Sequence, residues 1–265
     1  MLTIDLSATT VAITGGSSGI GLATAHLFLR AGAAVAICGR DEARLHSAER
    51  ALRDAHPGAR LLAHRCDVLE ASQTQAFARR TEALLGATDV LVANAGQGRV
   101  STFADTSDED WVEELRLKFF SVLNPTRAFL PALERSERAS IVCVGSLLAL
   151  QPEPHMVATS AARAGVQNLI HSLATEFAPK GIRVNAVLIG LVESGQWQRR
   201  FEARDDRSVD WAKWTAALAA RKGIRLGRLG KPEEAAQAIF HLATPLSSYT
   251  TGSHLDVSGG LARHI

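Results

Sequence analysis

Short apolar runs alternate with longer amphipathic segments along the whole chain. TTVAIT (9–14), AAVAIC (33–38), LLAHRCDV (61–68), TDVLVANAG (88–96), ASIVCVGS (139–146), GIRVNAVLIG (181–190) and SHLDVSGG (253–260) read as strands. Between them, helical spacing of apolar residues runs over 19–32, 41–56, roughly 70–85, a stretch carrying Trp111, a stretch opened by HMVATSAARAG (155–165), and 231–244. Gly32 closes the first helix, and Pro57-Gly58 stops the second. Thr106-x-x-Glu109 predicts a capping box, and Pro232 sits in the first turn of the last helix. Strands that are apolar almost without interruption are buried on both faces. Their alternation with helices predicts an α/β fold with a parallel sheet covered on both sides. Residues 191–230 form the one long irregular region, which predicts a functional insertion rather than a linker.

With 265 residues, 46% of them hydrophobic, the chain can bury one large α/β core or two smaller ones. Its 29 basic and 27 acidic residues nearly balance, so no nucleic-acid or polybasic membrane signal stands out. MLTIDLSATT lacks the basic and apolar regions of a signal peptide. No apolar run reaches the roughly 18 residues a spanning helix needs. Cys38, Cys66 and Cys143 are widely spaced in apolar runs without a C-x-x-C, which argues against a disulfide framework or a zinc site. The expectation is three buried thiols in a reducing cytoplasm, no metal, and a small-molecule partner.

The first strand runs into TGGSSGIG and then a helix. Glycines there let the backbone turn tightly and approach a pyrophosphate, while the helix aims free N–H groups and its dipole at the anion. The second strand ends at Cys38-Gly39-Arg40 without the carboxylate that grips the ribose hydroxyls of NAD. A guanidinium at Arg40 can hold a 2′-phosphate, so NADP(H) is the predicted cofactor, and Asp41 opens the next helix as an N-terminal acid.

TGGSSGIG, CDV at 66–68, NAG at 94–96, Ser146 and GRLGKPEE at 227–234 together resemble the short-chain dehydrogenase/reductase family, in order and over nearly the whole chain. The resemblance implies one Rossmann-like domain over 1–265, a doubly wound seven-stranded parallel sheet with a substrate-binding segment at 191–230. It implies a cofactor site of Thr14, Gly15, Ser17, Ser18, Gly19, Ile20 and Gly21, with Asp67 and Val68 at the adenine. Asn94, Ala95 and Gly96 then lie near the adenosine ribose, and Gly190, Val192 and Ser194 near the nicotinamide. Ile189 and Ser194 replace the proline and threonine usual in that last segment. A homo-oligomer, dimer or tetramer, is implied as well, with the helices near 107–132 and 156–177 in one interface.

The family's catalytic tetrad is Asn, Ser, Tyr and Lys. Ser146 matches, but Lys118, Thr159 and Arg163 stand at the other three positions, and the single tyrosine, Tyr249, is far away in sequence. A threonine hydroxyl can donate a hydrogen bond but is a poor proton reservoir. Arg163 can bond ribose hydroxyls and supply positive field, and it cannot act as a base. Lys118 falls on an inward stripe with Trp111, Leu115 and Val122. Either burial lowers its pKa until the ammonium donates usefully, or its stem packs in the core and its head reaches water. His155 is either a proton relay or a pocket wall, and Glu153 reads as a solvated loop carboxylate. Trp197, Trp211 and Trp214 either line an apolar pocket, with Trp197 touching substrate, or pack helices together. Two functions follow: an NADP(H)-dependent oxidoreductase acting on a carbonyl or alcohol through an atypical centre, or a catalytically inactive NADP(H)-binding sensor or partner subunit.

Overall fold

Side chains alternate across each strand and divide the core in two. In β1 (Thr10–Thr14), Val11 and Ile13 face one layer while Ala12 faces the other. The same division runs through β2 (Ala34–Gly39), β4 (Val90–Ala93), β5 (Ser140–Ser146) and β6 (Arg183–Ile189). β3 (Leu61–Arg65) and β7 (His254–Val257) form the edges of one seven-stranded sheet ordered β3-β2-β1-β4-β5-β6-β7, parallel at every pairing. The computed structural model describes residues 4–263, and this doubly wound α/β architecture is the one expected.

Helices α1 (Gly19–Arg30), α2 (Glu42–Ala55) and α8 (Pro232–Ala243) cover the first layer through residues such as Phe28, Leu52 and Ile239. Helices α3 (Ala71–Leu85), α4 (Asp108–Leu133) and α5 (Val157–Phe177) cover the second through Phe77, Phe129 and Ile170. Strand order reverses between β1 and β4, so the turns after those strands diverge and open a crevice at the carboxyl edge of the sheet.

Several expectations need correction. The capping box of α4 lies one residue later than Thr106 and Glu109: Ser107 accepts from the Asp110 N–H at 3.2 Å, and Asp110 accepts in return from the Ser107 N–H at 3.4 Å. Residues 191–230 are not irregular. They hold α6 (Gly195–Glu202) and α7 (Trp211–Lys222), the latter capped by Asp210 and stopped by Gly223 in the left-handed region at φ 77°. Short length and mixed charges hide the helical period there. Aromatic packing among Trp197, Phe201, Trp211 and Trp214 joins the two helices. Leu115 does not belong to the inward stripe of α4. It is 41% exposed, whereas Glu114 beside it is 2% exposed. All three cysteines are buried free thiols, and burial pushes Cys143 up to about 12.

Candidate active site

A cleft of about 630 Å³ follows the carboxyl edge of the sheet, within the size range of small-molecule sites. Its first end is built on the β1–α1 turn. Gly15 takes φ 66° and Gly19 φ 52°, and both line the cleft with Ser17, Ser18 and Ile20. Ser18 is the N-cap of α1 but makes no side-chain cap bond, and no acid stands in the first turn. The helix therefore presents uncapped N–H donors and its positive pole to the cleft. These features fit the pyrophosphate of a dinucleotide.

Thr14 and Gly21 lie behind this wall rather than in it. The Thr14 hydroxyl oxygen accepts from the Asn94 and Ala95 N–H groups, both at 3.0 Å, and so ties the turns after β1 and β4 together. A Cβ on Gly21 would lie 2.3 Å from the Gly15 carbonyl oxygen, so this glycine permits α1 to close on the turn. Asn94, Ala95 and Gly96 line the cleft, with the Asn94 amide donating to the carbonyls of Thr14 and Gly15.

Arg40 also stands in the wall, with its side chain 59% exposed and 3.9 Å from Asp67. Asp41 caps α2 as expected, accepting from the Arg44 N–H at 2.9 Å. Its other oxygen holds the Arg44 guanidinium at 3.0 Å, and Arg44 is a second cleft cation that sequence reasoning missed. Asp67 and Val68 complete this end.

Farther along, Ser146, Thr159, Arg163, Gly190, Val192 and Ser194 line the same cleft. Val192 is pinned by a bridge to Gly230 in the GRLGKPEE segment. There Glu234 accepts from the Lys231 N–H at 2.7 Å and pairs with Arg228, which holds its carboxyl down at about 2. The Ser146 hydroxyl oxygen accepts weakly from the Leu148 N–H at 3.3 Å, leaving its proton available to the cleft. Arg163 donates from Nη1 to the Val144 carbonyl at 3.1 Å, while its buried Nε has no partner among the described residues. Burial lowers its pKa and the Glu114 charge opposes that shift.

Lys118 is inward as the pattern predicted, 3% exposed, but it does not line the cleft. It borders a separate void of about 10 Å³ behind Gly96 and Gly145. Its ammonium pairs with Glu114, one helical turn earlier on α4. Burial lowers the Lys118 pKa, the Glu114 hydrogen bond raises it, and Arg163 lowers it further, with a net downward shift. Glu114 is the functional candidate that sequence reasoning missed. The signal was present, because an inward lysine on a helix predicts an inward acid three or four residues earlier.

Thr159 is 1% exposed and hydrogen-bonded on three sides. Its Oγ1 lies 3.0 Å from Glu114 Oε1 and 3.2 Å from the Arg99 carbonyl, and it accepts from the Arg99 N–H at 3.3 Å. Arg99 in turn grips α4 through Asp110 at 2.5 Å and Glu113 at 2.9 Å. His155 and Trp197 reach the cleft wall, and Trp197 also stacks under Arg200. Glu153 is not simply solvated. Between Pro152 and Pro154, it binds Lys222 in the last turn of α7 at 2.7 Å and His155 in its own loop at 3.1 Å.

A family model described as short chain dehydrogenase matches residues 9–205. The chain is 33% identical to the 3-oxoacyl-[acyl-carrier-protein] reductase FabG of Chlamydia muridarum, over 94% of this chain and 96% of that one. A short chain oxidoreductase from Pseudomonas aeruginosa PAO1, described as containing an atypical catalytic center, is 69% identical in its apo structure. The TM-score is 0.97, covering 98% of this chain and 100% of that one. Its NADPH-bound structure matches at 68% identity and TM-score 0.95, covering 99% and 100%. L-sorbose reductase from Gluconobacter frateurii, complexed with NADPH and L-sorbose, is 29% identical with a TM-score of 0.93 over the full length of both chains.

Proposed function

The chain belongs to the short-chain dehydrogenase family, and from that premise we propose that it is an NADP(H)-dependent oxidoreductase interconverting a carbonyl and an alcohol. The observation that carries this reading is the continuity of one cleft. A helix N-terminus and Arg40 stand at one end of it, and Ser146, Thr159 and Arg163 at the other. The NADPH-bound relative with an atypical center supports the cofactor and the retained chemistry.

The reduced nicotinamide, when bound, supplies the hydride. Gly15, Ser17, Ser18, Gly19 and Ile20 would hold its pyrophosphate, and Arg40, with Arg44 nearby, would take the 2′-phosphate. Asp67 and Val68 contact the adenine, and Asn94, Ala95 and Gly96 the adenosine ribose. Gly190, Val192 and Ser194 would back the nicotinamide, and the Arg163 guanidinium, in the same wall, would hold its ribose. Ser146 donates a hydrogen bond to the substrate oxygen. Lys118, a buried ammonium held by Glu114 behind the cleft, is the proton reserve, and burial lowers its pKa. Substrate enters beside Trp197 and His155, beneath α6 and α7.

The apolar surface of α4, where Val112 is 65% and Phe120 39% exposed, supports a homo-oligomer built across that helix. Buried free thiols support a reducing compartment such as the cytoplasm. Among the described residues no helix is long and apolar enough to cross a membrane. The inactive sensor is the second reading. It rests on the missing phenol, since Tyr249 is fully exposed and outside the cleft wall.

One experiment separates the two readings: NADPH consumption across a broad panel of aldehydes and ketones, with NADPH affinity measured in parallel. Turnover of any class of carbonyl together with tight binding supports the enzyme. Tight binding without turnover across the panel supports the sensor.

A further inference from the structure

Lys118 and the cleft are separated, and one side chain fills the gap. Lys118 holds a proton but borders the small void behind Gly96 and Gly145. Thr159 reaches the cleft wall but has only one proton of its own. Glu114 touches both, with Oε2 on the Lys118 ammonium and Oε1 3.0 Å from the Thr159 hydroxyl. Three features of this triad are directional. The carboxylate is 2% exposed, so water does not compete for its oxygens. Each oxygen has one of the two partners. The Arg99 N–H donates into a lone pair of Thr159, which fixes the hydroxyl so that its proton has two acceptors, the Glu114 carboxylate and the Arg99 carbonyl. A charged acceptor outcompetes a neutral one at similar distance.

The geometry points to Glu114 as the residue that carries protons between Lys118 and Thr159, and so connects the buried lysine to the substrate oxygen. This rests on the oxidoreductase reading above and supplies the link it lacks. In the oxidative direction, the alcohol O–H breaks as a bond forms to Thr159 Oγ1. The former Thr159 O–H breaks as Glu114 Oε1–H forms, and half a turn of that carboxyl then passes the proton to the neutral Lys118 amine. The hydride leaves the carbinol carbon for the oxidised nicotinamide, and the substrate becomes a carbonyl. Reduction is the reverse. Lys118 Nζ–H breaks as a Glu114 carboxyl O–H forms, and half a turn about the Glu114 Cγ–Cδ bond presents that proton to Thr159. Thr159 accepts it while giving its own to the oxygen of the carbonyl receiving the hydride. Lys118 ends as a neutral amine and regains its proton along the same chain, from water that fills the emptied cleft beside Thr159. Thr159 thereby serves as a conduit, a role a weak acid can fill even though it is a poor reservoir. Burial and Arg163 lower the hold of Lys118 on its proton, against the raising effect of its hydrogen bond to Glu114.

Glu114 touches neither substrate nor cofactor, so it is a positioning residue acting through Thr159. Glu114→Gln keeps shape and hydrogen bonding but cannot accept and release a proton. In the full-length protein it should lower kcat by about a hundredfold, with KM and NADPH affinity within threefold of the parent. Glu114→Asp should recover at least tenfold of that loss. Members of one chain act in series, so Glu114→Gln with Thr159→Val should be no slower than the worse single variant. ¹⁵Nζ titration of Lys118 without cofactor should show a lower pKa in Glu114→Gln, because Arg163 on α5 then faces it without the α4 carboxylate. The relay is overturned if Glu114→Gln turns over within threefold of an active parent, or if the two losses multiply as independent roles would. If Glu114→Gln does not fold, Glu114→Asp combined with Thr159→Val gives the same series test. A parent that binds NADPH and reduces nothing in the panel overturns the oxidoreductase reading instead, and the relay with it.

Discussion

At the β1–α1 end of the cleft the wall is mostly backbone, whereas at the α4–α5 end it is mostly side chains. The first end works through positive-φ glycines, an uncapped helix N-terminus and a carbonyl too close to Gly21 to admit any Cβ. The second has Thr159 and Arg163 in the wall with Glu114 and Lys118 behind it, brought together from two helices, Glu114 and Thr159 being 45 residues apart in the chain. A backbone site is fixed once the chain turns correctly, and its chemistry does not depend on protonation. A side-chain site can be rewritten residue by residue while the backbone stays the same. On the proposed function, that contrast explains how a conventional dinucleotide cradle and an unconventional catalytic face coexist in one cleft.

The sharpest attempt to break the contrast is Lys118→Met. If the α4–α5 end does only chemistry, turnover should fall by about two to four orders of magnitude while NADPH affinity stays within a few-fold. Stability should fall as well, by about 3 kcal/mol, because the buried Glu114 carboxylate loses its ammonium. Adding Glu114→Gln removes the stranded charge, so the melting temperature should recover while turnover does not. Recovery of both, or unchanged turnover in the single variant, would return Lys118 to a purely structural role.

The reciprocal experiment is Gly21→Ala. Its Cβ would sit 2.3 Å from the Gly15 carbonyl oxygen and 2.6 Å from the Asn94 amide, distances that force the turn to move. Strain of about 1–3 kcal/mol converts to roughly a ten- to hundredfold loss of NADPH affinity, with the ionisation of Lys118 unchanged. Binding within threefold of the parent, measured by calorimetry, would show that the cradle tolerates displacement and is not set by close backbone approach.

The same contrast accounts for what could be read from the chain. Period-two burial and glycine punctuation are local, so all seven strands and the β1–α1 turn were legible to within a few residues. Asp41 as a cap was legible for the same reason. Residues 191–230 were not, because α6 is short and charged and α7 is held by aromatic packing rather than by a clean apolar stripe. The stripe on α4 was right at Lys118 and Val122, but it took Leu115 as buried in place of Glu114. A rule that puts apolar residues inside discards a buried acid by construction. The pairing of Glu114 with the inward Lys118, one turn later on the same helix, reverses that assignment.

Arg40 tests the one part of the cradle that depends on a side chain. Glycines and helix N–H groups bind a pyrophosphate whichever dinucleotide carries it, so they cannot distinguish NADPH from NADH. The distinction needs a charge at the end of β2. Arg40 stands there, partly satisfied by Asp67 at 3.9 Å, with Arg44 nearby but already held by Asp41. A charge-assisted contact in a dry site contributes about 1.5–3 kcal/mol, but this guanidinium is 59% exposed, so solvent screens it toward the lower end. Arg40→Asp removes the attraction, adds repulsion and places a second carboxylate beside Asp67. NADPH affinity should fall by about tenfold, and NADH affinity should change by less than threefold, as read by parallel titration of the two cofactors. Equal affinities in the unmodified protein would remove the NADP(H) assignment. A preference for NADPH that survives Arg40→Asp would move it to Arg44, whose release from Asp41 would then be the step that selects the cofactor.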